Sequence, residues 1–153
     1  ELLKCEDKIT VHPQYYMFQP DKTKKYDIVF NLNVLHHFGD DFGNNISKIT
    51  AKEEMVKCLN NLASHTEIMI FQMGFNWKGD PNECLFEKGS KAEIIDFISK
   101  STTAFWDIDA IGIAEKYQSD VTYKKLNENN ISRNDLLGEF LNRPIFIMRS
   151  RKD

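Results

Sequence analysis

The run Tyr26-Asp27-Ile28-Val29-Phe30-Asn31-Leu32-Asn33-Val34-Leu35-His36-His37-Phe38 constrains the fold of this chain more than any other stretch. Ile28 to Phe30 form a short apolar block, led in by an acid and followed by the amides Asn31 and Asn33, which predicts a strand of a parallel sheet ending at its outer edge. In open α/β sheets that edge borders the crevice where ligands bind. Two adjacent histidines follow in the turn.

The rest of the chain alternates between strand-like and helix-like segments. Lys8 to His12 predicts a short strand (Ile9, Val11) stopped by Pro13, and Gly39 to Asn45 has a loop composition. Three helices are expected from a hydroxyl followed three residues later by an acid: Thr50 with Glu53, Ser90 with Glu93, and Ser132 with Asp135. Apolar stripes follow each: Met55, Val56, Leu59, Leu62 and Ala63; Ile94, Ile95, Phe97 and Ile98; Leu136, Leu137, Phe140 and Leu141. Between them Glu67 to Met73, Trp106 to Ile113 and Pro144 to Arg149 have the length and composition of strands, the first nearly continuous in apolar residues as a centrally placed strand would be. Glu115 to Arg143 is expected to be a long connection. The predicted class is α/β.

With 153 residues, 41% of them hydrophobic, the chain is expected to form one domain over 1–153, or the carboxyl-terminal fragment of one. A net charge of −3 with scattered lysines and arginines gives no electrostatic footprint for nucleic acid. Cys5, Cys58 and Cys84 are odd in number and widely spaced, so neither a disulfide framework nor a zinc knuckle is expected, and a reducing cytoplasm fits. No apolar run approaches the ~20 residues of a membrane-spanning helix.

His36 and His37 stand where a general base would be useful, since imidazole titrates near neutrality. The competing reading is a turn histidine packed for shape. Adjacent residues cannot both point into one site on a regular element, so a two-histidine metal site is not expected. Asp40 and Asp41 could complete a metal site with His37, but a solvated acidic turn is the simpler reading and no metal is expected. Gln72-Met73-Gly74-Phe75-Asn76-Trp77-Lys78-Gly79-Asp80 mixes amide, aromatic and charged groups, a suitable composition for substrate recognition through Gln72, Phe75 and Trp77. Phe75 and Trp77 could equally cover the sheet edge. Arg143, before Pro144, is a candidate for an anionic substrate group or a surface ion pair. No Ser-His-Asp pattern, P-loop or HExxH motif occurs.

The segment from Asp27-Ile28-Val29 to Val34-Leu35-His36-His37 resembles the fourth strand and following turn of class I S-adenosylmethionine-dependent methyltransferases. The overlay extends along most of the chain: Ile9 to Val11 resembles that family's third strand, Ile68 to Met73 its fifth, Trp106 to Ile113 its sixth and Ile145 to Met148 its seventh. The resemblance implies a Rossmann-like sheet with helices on both faces, its first two strands missing, ending in an antiparallel strand pair. It also implies that Asn31, Leu32, Asn33 and Val34 border the cofactor. The family's glycine-rich loop is absent, as is the acid that would hold the ribose, and Pro13-Gln14-Tyr15 stands where the adenine-side acid often lies. The expectation is therefore the carboxyl-terminal part of a longer S-adenosylmethionine-dependent enzyme acting on a small-molecule or glycan-type acceptor. The rival is a noncatalytic α/β binding or assembly module. An incomplete sheet also implies self-association through an exposed sheet edge.

Overall fold

A computed structural model describes residues 8–20, 26–41, 43 and 47–151. The strands are β1 (Tyr26–Leu32), β2 (Thr66–Gln72), β3 (Trp106–Tyr117), β4 (Asp120–Lys125) and β5 (Ile145–Ser150); the helices are α1 (Lys48–Asn61), α2 (Lys91–Thr102) and the short α3 (Gly138–Leu141). They form one open mixed sheet of order β1-β2-β5-β3-β4. β1 and β2 run parallel with α1 between them in sequence, and β5 inserts antiparallel between β2 and β3. The α/β class and the closing antiparallel pair are as expected.

Helix starts follow local chemistry. Ser90 accepts from Glu93 N, as anticipated, whereas α1 is capped one turn earlier than expected, by Ser47 accepting from Thr50 N. The third expected helix is broken: Asn134 accepts from Leu136 N to start a 3-10 turn, and Gly138 with φ 70° separates it from α3. β4 was not anticipated within the 115–143 connection. Its pairing with β3 forms a hairpin whose strand residues are all exposed on the β4 side, so it carries no apolar alternation of buried positions to announce it. Ile9 to Val11 form no strand, and both side chains lie in solvent.

Period-two alternation gives the sheet two unlike faces. One carries Met69 and Phe71 of β2, Phe146 and Met148 of β5 and Trp106 of β3, packed on Met55 and Leu59 of α1 and Ile94 and Ile98 of α2. Trp106 Nε1 donates to Leu59 O at 3.2 Å, so the largest core side chain meets its polar requirement inside the core. The opposite face presents Tyr26, Ile28, Phe30 and Leu32 of β1 beside Ile68 and Ile70 of β2 and Ile147 of β5, and the β1 side chains are exposed. Helices were expected on both faces; among the described residues they cover one. The sequence expectation rested on an unbroken apolar run in β2, but such a run reports only that both faces are apolar, not that both are covered. Among the described residues, no helix is long and apolar enough to cross a membrane.

The asymmetry gives a direct contrast between two phenylalanines. Phe146→Ala removes a ring that is 0% exposed, so it should cost about 3–5 kcal/mol in urea unfolding. Phe30→Ala removes one that is 67% exposed and should stay within about 0.5 kcal/mol of the parent.

Candidate functional site

The parallel strands β1 and β2 end side by side, and the chain immediately beyond each is held in a shape that a regular strand would not take. Asn33 adopts φ 61°, a left-handed conformation that asparagine tolerates better than most side chains. Its N–H donates to Gln72 O at 2.8 Å, and its Nδ2 donates to Gln72 Oε1 at 2.9 Å. Arg143 completes the junction. It donates through Nη1 to Asn33 Oδ1 at 2.6 Å, while its main-chain oxygen accepts from Gln72 Nε2 at 3.0 Å. Nε and Nη2 of the same guanidinium grip the two carboxylate oxygens of Glu139, one α-helical turn earlier. Glu139 Oε1 also accepts from Phe75 N at 3.3 Å. One ion pair thus ties together the ends of β1 and β2 and the loop after β2.

Leu35 to His37 form a 3-10 turn beyond β1. This turn sends the two histidines to different places. His36 is buried, its ring against Gly74, where an added Cβ would sit 2.8 Å from His36 Cδ2. Its Nδ1 is buried with no hydrogen-bond partner among the described residues, and Asn31 Nδ2 is in the same condition. Burial first, then the neighbouring His37 and the Arg143 guanidinium, push the His36 imidazole down to about 4 from an ordinary 6.5. It is therefore neutral at physiological pH. His37 is half-buried, and its Nδ1 stands 3.1 Å from Asp41 Oδ2, a charge-pair distance without hydrogen-bond alignment. Glycine at 79, with φ 71°, lets the next loop pass close to it: a Cβ there would lie 3.3 Å from His37 Cε1.

The loop after β2 is pinned at both ends. Trp77 Nε1 donates to Phe38 O at 2.7 Å, Trp77 N to Glu83 O at 2.6 Å and Leu85 N to Phe75 O at 2.8 Å. Lys78 sits over the Trp77 ring at 4.3 Å. Phe75 is buried and belongs to the core, whereas Trp77 is half-buried beside the histidine turn. Leu32 and Val34 are exposed, Asn31 buried. The structure thus gathers Asn31, Asn33, Gln72, Arg143, His36, His37 and Trp77 around the two strand ends, with Phe75 turned inward. Glu139 and Gly74 escaped the sequence reading. The Glu139 to Arg143 spacing, one helical turn, was the available signal for the first; nothing in the sequence announces the second.

One cluster of metal-ligand type occurs among the described residues: donor atoms of His37, Asp40 and Asp41 lie within 4.8 Å of one another, both acids exposed. A groove of about 800 Å³ opens away from the strand ends, between Tyr15 to Gln19 and α1, reaching Phe38 and Asp41. Cys58 lines it, but burial and then Glu54 push that thiol up to about 11, which leaves it protonated and unreactive. No family model, curated protein or solved structure matches the chain.

Two tests follow from His36. The folded chain resists its protonation until about pH 4, whereas unfolded histidine protonates near 6.5. The unfolded state therefore binds the extra proton between those values, so this contribution is full above pH 6.5 and is lost as the pH falls to 4. It amounts to about 3–4 kcal/mol at most, and urea unfolding across that window should show a slope that His36→Asn flattens. Separately, Gly74→Ala should cost about 1–3 kcal/mol by overpacking and should move the His36 ring resonances more than those of His65.

Proposed function

We propose that residues 1–153 form one wall of an S-adenosylmethionine-dependent methyltransferase acting within a longer chain on a small-molecule or glycan-type acceptor. The observation that carries this reading is the sheet order. Two parallel strands are joined by a last strand, β5, that lies antiparallel between β2 and β3, and its pairing with β3 is the one the resemblance implies for its sixth and seventh strands. Polar groups then converge at the C-terminal ends of the parallel pair, where ligands of open α/β sheets bind.

The donor fits these residues on one side only. Asn31 Nδ2 is a buried donor still to be satisfied, and the Asn33–Gln72–Arg143 junction fixes the main chain around it. Nothing in the chain supplies the glycine-rich cradle, and all seven glycines stand singly. Bound S-adenosylmethionine would supply a sulfonium methyl group for in-line transfer, with the carbon–sulfur bond breaking as the new bond to the acceptor forms. The residues here orient the acceptor and move its proton. His37 faces Asp41 through Nδ1, which leaves Nε2 to take a hydroxyl proton as the methyl group arrives. Asp41 then stabilises the imidazolium. Trp77, with its N–H tied to Phe38 O, offers a fixed aromatic surface against which a sugar ring or another flat acceptor would pack. His36, neutral and packed on Gly74, positions the turn rather than exchanging protons.

A noncatalytic assembly module is the second reading, favoured by the bare sheet face. Calorimetry on the complete gene product separates the two. Binding of S-adenosylhomocysteine supports the enzyme, and His37→Ala should then lower turnover about 10²–10⁴-fold with little change in that binding. Absence of binding of both S-adenosylmethionine and S-adenosylhomocysteine sinks it.

A further inference from the structure

The groove between Tyr15 to Gln19 and α1 takes no part in the chemistry proposed above. Its volume, about 800 Å³, falls within the ~300–1,000 Å³ of small-molecule sites. On the helix side it is lined by Thr50, Glu54, Lys57, Cys58 and Asn61, positions that recur at helical spacing and so form one stripe along α1. At 1.5 Å per residue that stripe is about 16 Å long. All but Cys58 are polar, so this wall offers hydrogen-bonding groups rather than a greasy surface.

The opposite wall is fixed in place by side-chain bonds. Asn61 Nδ2 donates to Phe18 O at 2.8 Å. Buried His65 bonds the same segment twice: Nε2 donates to Gln19 O, so Nδ1 of the neutral ring accepts from Tyr16 Oη at 2.8 Å. Phe18 is held at φ 49°, a conformation that is unfavourable for a bulky side chain and persists only where the surroundings impose it. Its ring meets that of Tyr16 edge-on at 5.0 Å. Between and beside these anchors, Tyr15 and Met17 are left 81% and 71% exposed.

The chemistry of the two walls narrows the ligand. A lipid tail would bury Thr50, Glu54 and Lys57 against hydrocarbon, at a large desolvation cost. An anion would meet Asp41 and Glu54 with only Lys57 to offset them, and Lys57 already pairs with Glu54 at 3.3 Å. A cation would find both acids answered, Glu54 by Lys57 and Asp41 by His37 at 3.1 Å. The walls suit a neutral, elongated molecule with flat apolar faces and hydroxyl edges. Its faces would pack on Tyr15 and Met17, while its hydroxyls exchange hydrogen bonds with Thr50, Glu54 and Lys57. A chain of sugar rings has that form.

We propose that the groove binds a neutral oligosaccharide lengthwise along α1. The groove reaches Phe38 and Asp41, which adjoin His37, so a sugar at that end brings a hydroxyl toward the imidazole. That placement deepens the methyl-transfer reading and rests on it, whereas saccharide binding itself does not.

The test is calorimetric titration of the protein with cellotetraose, maltotetraose and mannotetraose, with the matching disaccharides, tetragalacturonic acid and adenosine as comparisons. At least one neutral tetrasaccharide should bind, about tenfold or more tighter than its disaccharide and than tetragalacturonic acid. Tyr15→Ala and Met17→Ala, both at exposed positions, should each weaken that binding several-fold without moving the melting temperature. Glu54→Lys should narrow the preference over tetragalacturonic acid. Three results would overturn the inference: no binding of any neutral tetrasaccharide, undiminished binding by both Tyr15→Ala and Met17→Ala, or tighter binding of adenosine than of every saccharide. Saccharide binding without S-adenosylhomocysteine binding keeps the groove and removes the methyl-transfer reading. Binding of S-adenosylhomocysteine alone does the reverse.

Discussion

Burial of Met69 and Phe71 against α1 and α2 is the interaction from which the rest of the structure hangs. Among the described residues, β2 is the one strand with a parallel neighbour on one side and an antiparallel neighbour on the other, so its position decides where β1 and β5 can lie. The inward residues of β2 and β5 meet as a layer, with the Phe71 and Phe146 rings 6.0 Å apart, and each fully buried ring contributes about 1.5–3 kcal/mol by leaving water. Because this layer faces one way only, α1 and α2 are drawn to the same side. The junction at the ends of β1 and β2, the histidine turn and the bare face follow from that choice.

Charge does the finer positioning, through groups that are buried only where they are fully partnered. Arg143 is taken out of solvent beside Glu139, and the same guanidinium fixes Asn33 across a sequence separation of 110 residues. Truncating one member of so desolvated a pair strands the other, which is why such pairs specify geometry more than they add stability. Lys91 works in the same way at the start of α2. Its amine is buried and pulled below its usual pKa by that burial, and it donates to Asn130 O at 3.1 Å and Ser132 O at 2.9 Å. The connection from β4 to α3 is therefore held by a cation reading backbone carbonyls. These contacts bring Glu139 within reach of the loop after β2.

Much of this was legible in the sequence, for reasons that differ between elements. β2 and the Ser90 helix announce themselves because local pattern and tertiary burial agree, whereas β1 announces itself by its apolar block and its pairing with β2 although Ile28 and Phe30 are exposed. α1 begins a turn earlier than the Thr50–Glu53 pair suggests because Ser47 is the better-placed cap, and both residues satisfy the same local rule. β4 and the failed strand at Ile9 to Val11 show the limit from opposite sides: the first has partners without a pattern, the second a pattern without partners. Around the site, Arg143, Asn33 and Gln72 could be nominated from composition. Their mutual bonds could not, since nothing local relates position 33 to position 143.

The two histidines show what the fold adds to a motif. As letters they are interchangeable, and a reading by proximity assigns them one role between them. The 3-10 turn rotates successive side chains by about 120°, which puts His36 into the wall behind the site and His37 at its surface. Once inside, burial is the main force opposing the protonation of His36, and His37 and Arg143 add to it. An imidazole held neutral down to about pH 4 is poorly suited to accept and release protons near pH 7. His37 keeps partial access to water and has an acid at 3.1 Å, and the proposed base role rests on that contrast. The division depends on Gly74, where an added Cβ would sit 2.8 Å from His36 Cδ2, and so a glycine after β2 lets one histidine of the pair lie in the wall while the other stays at the surface.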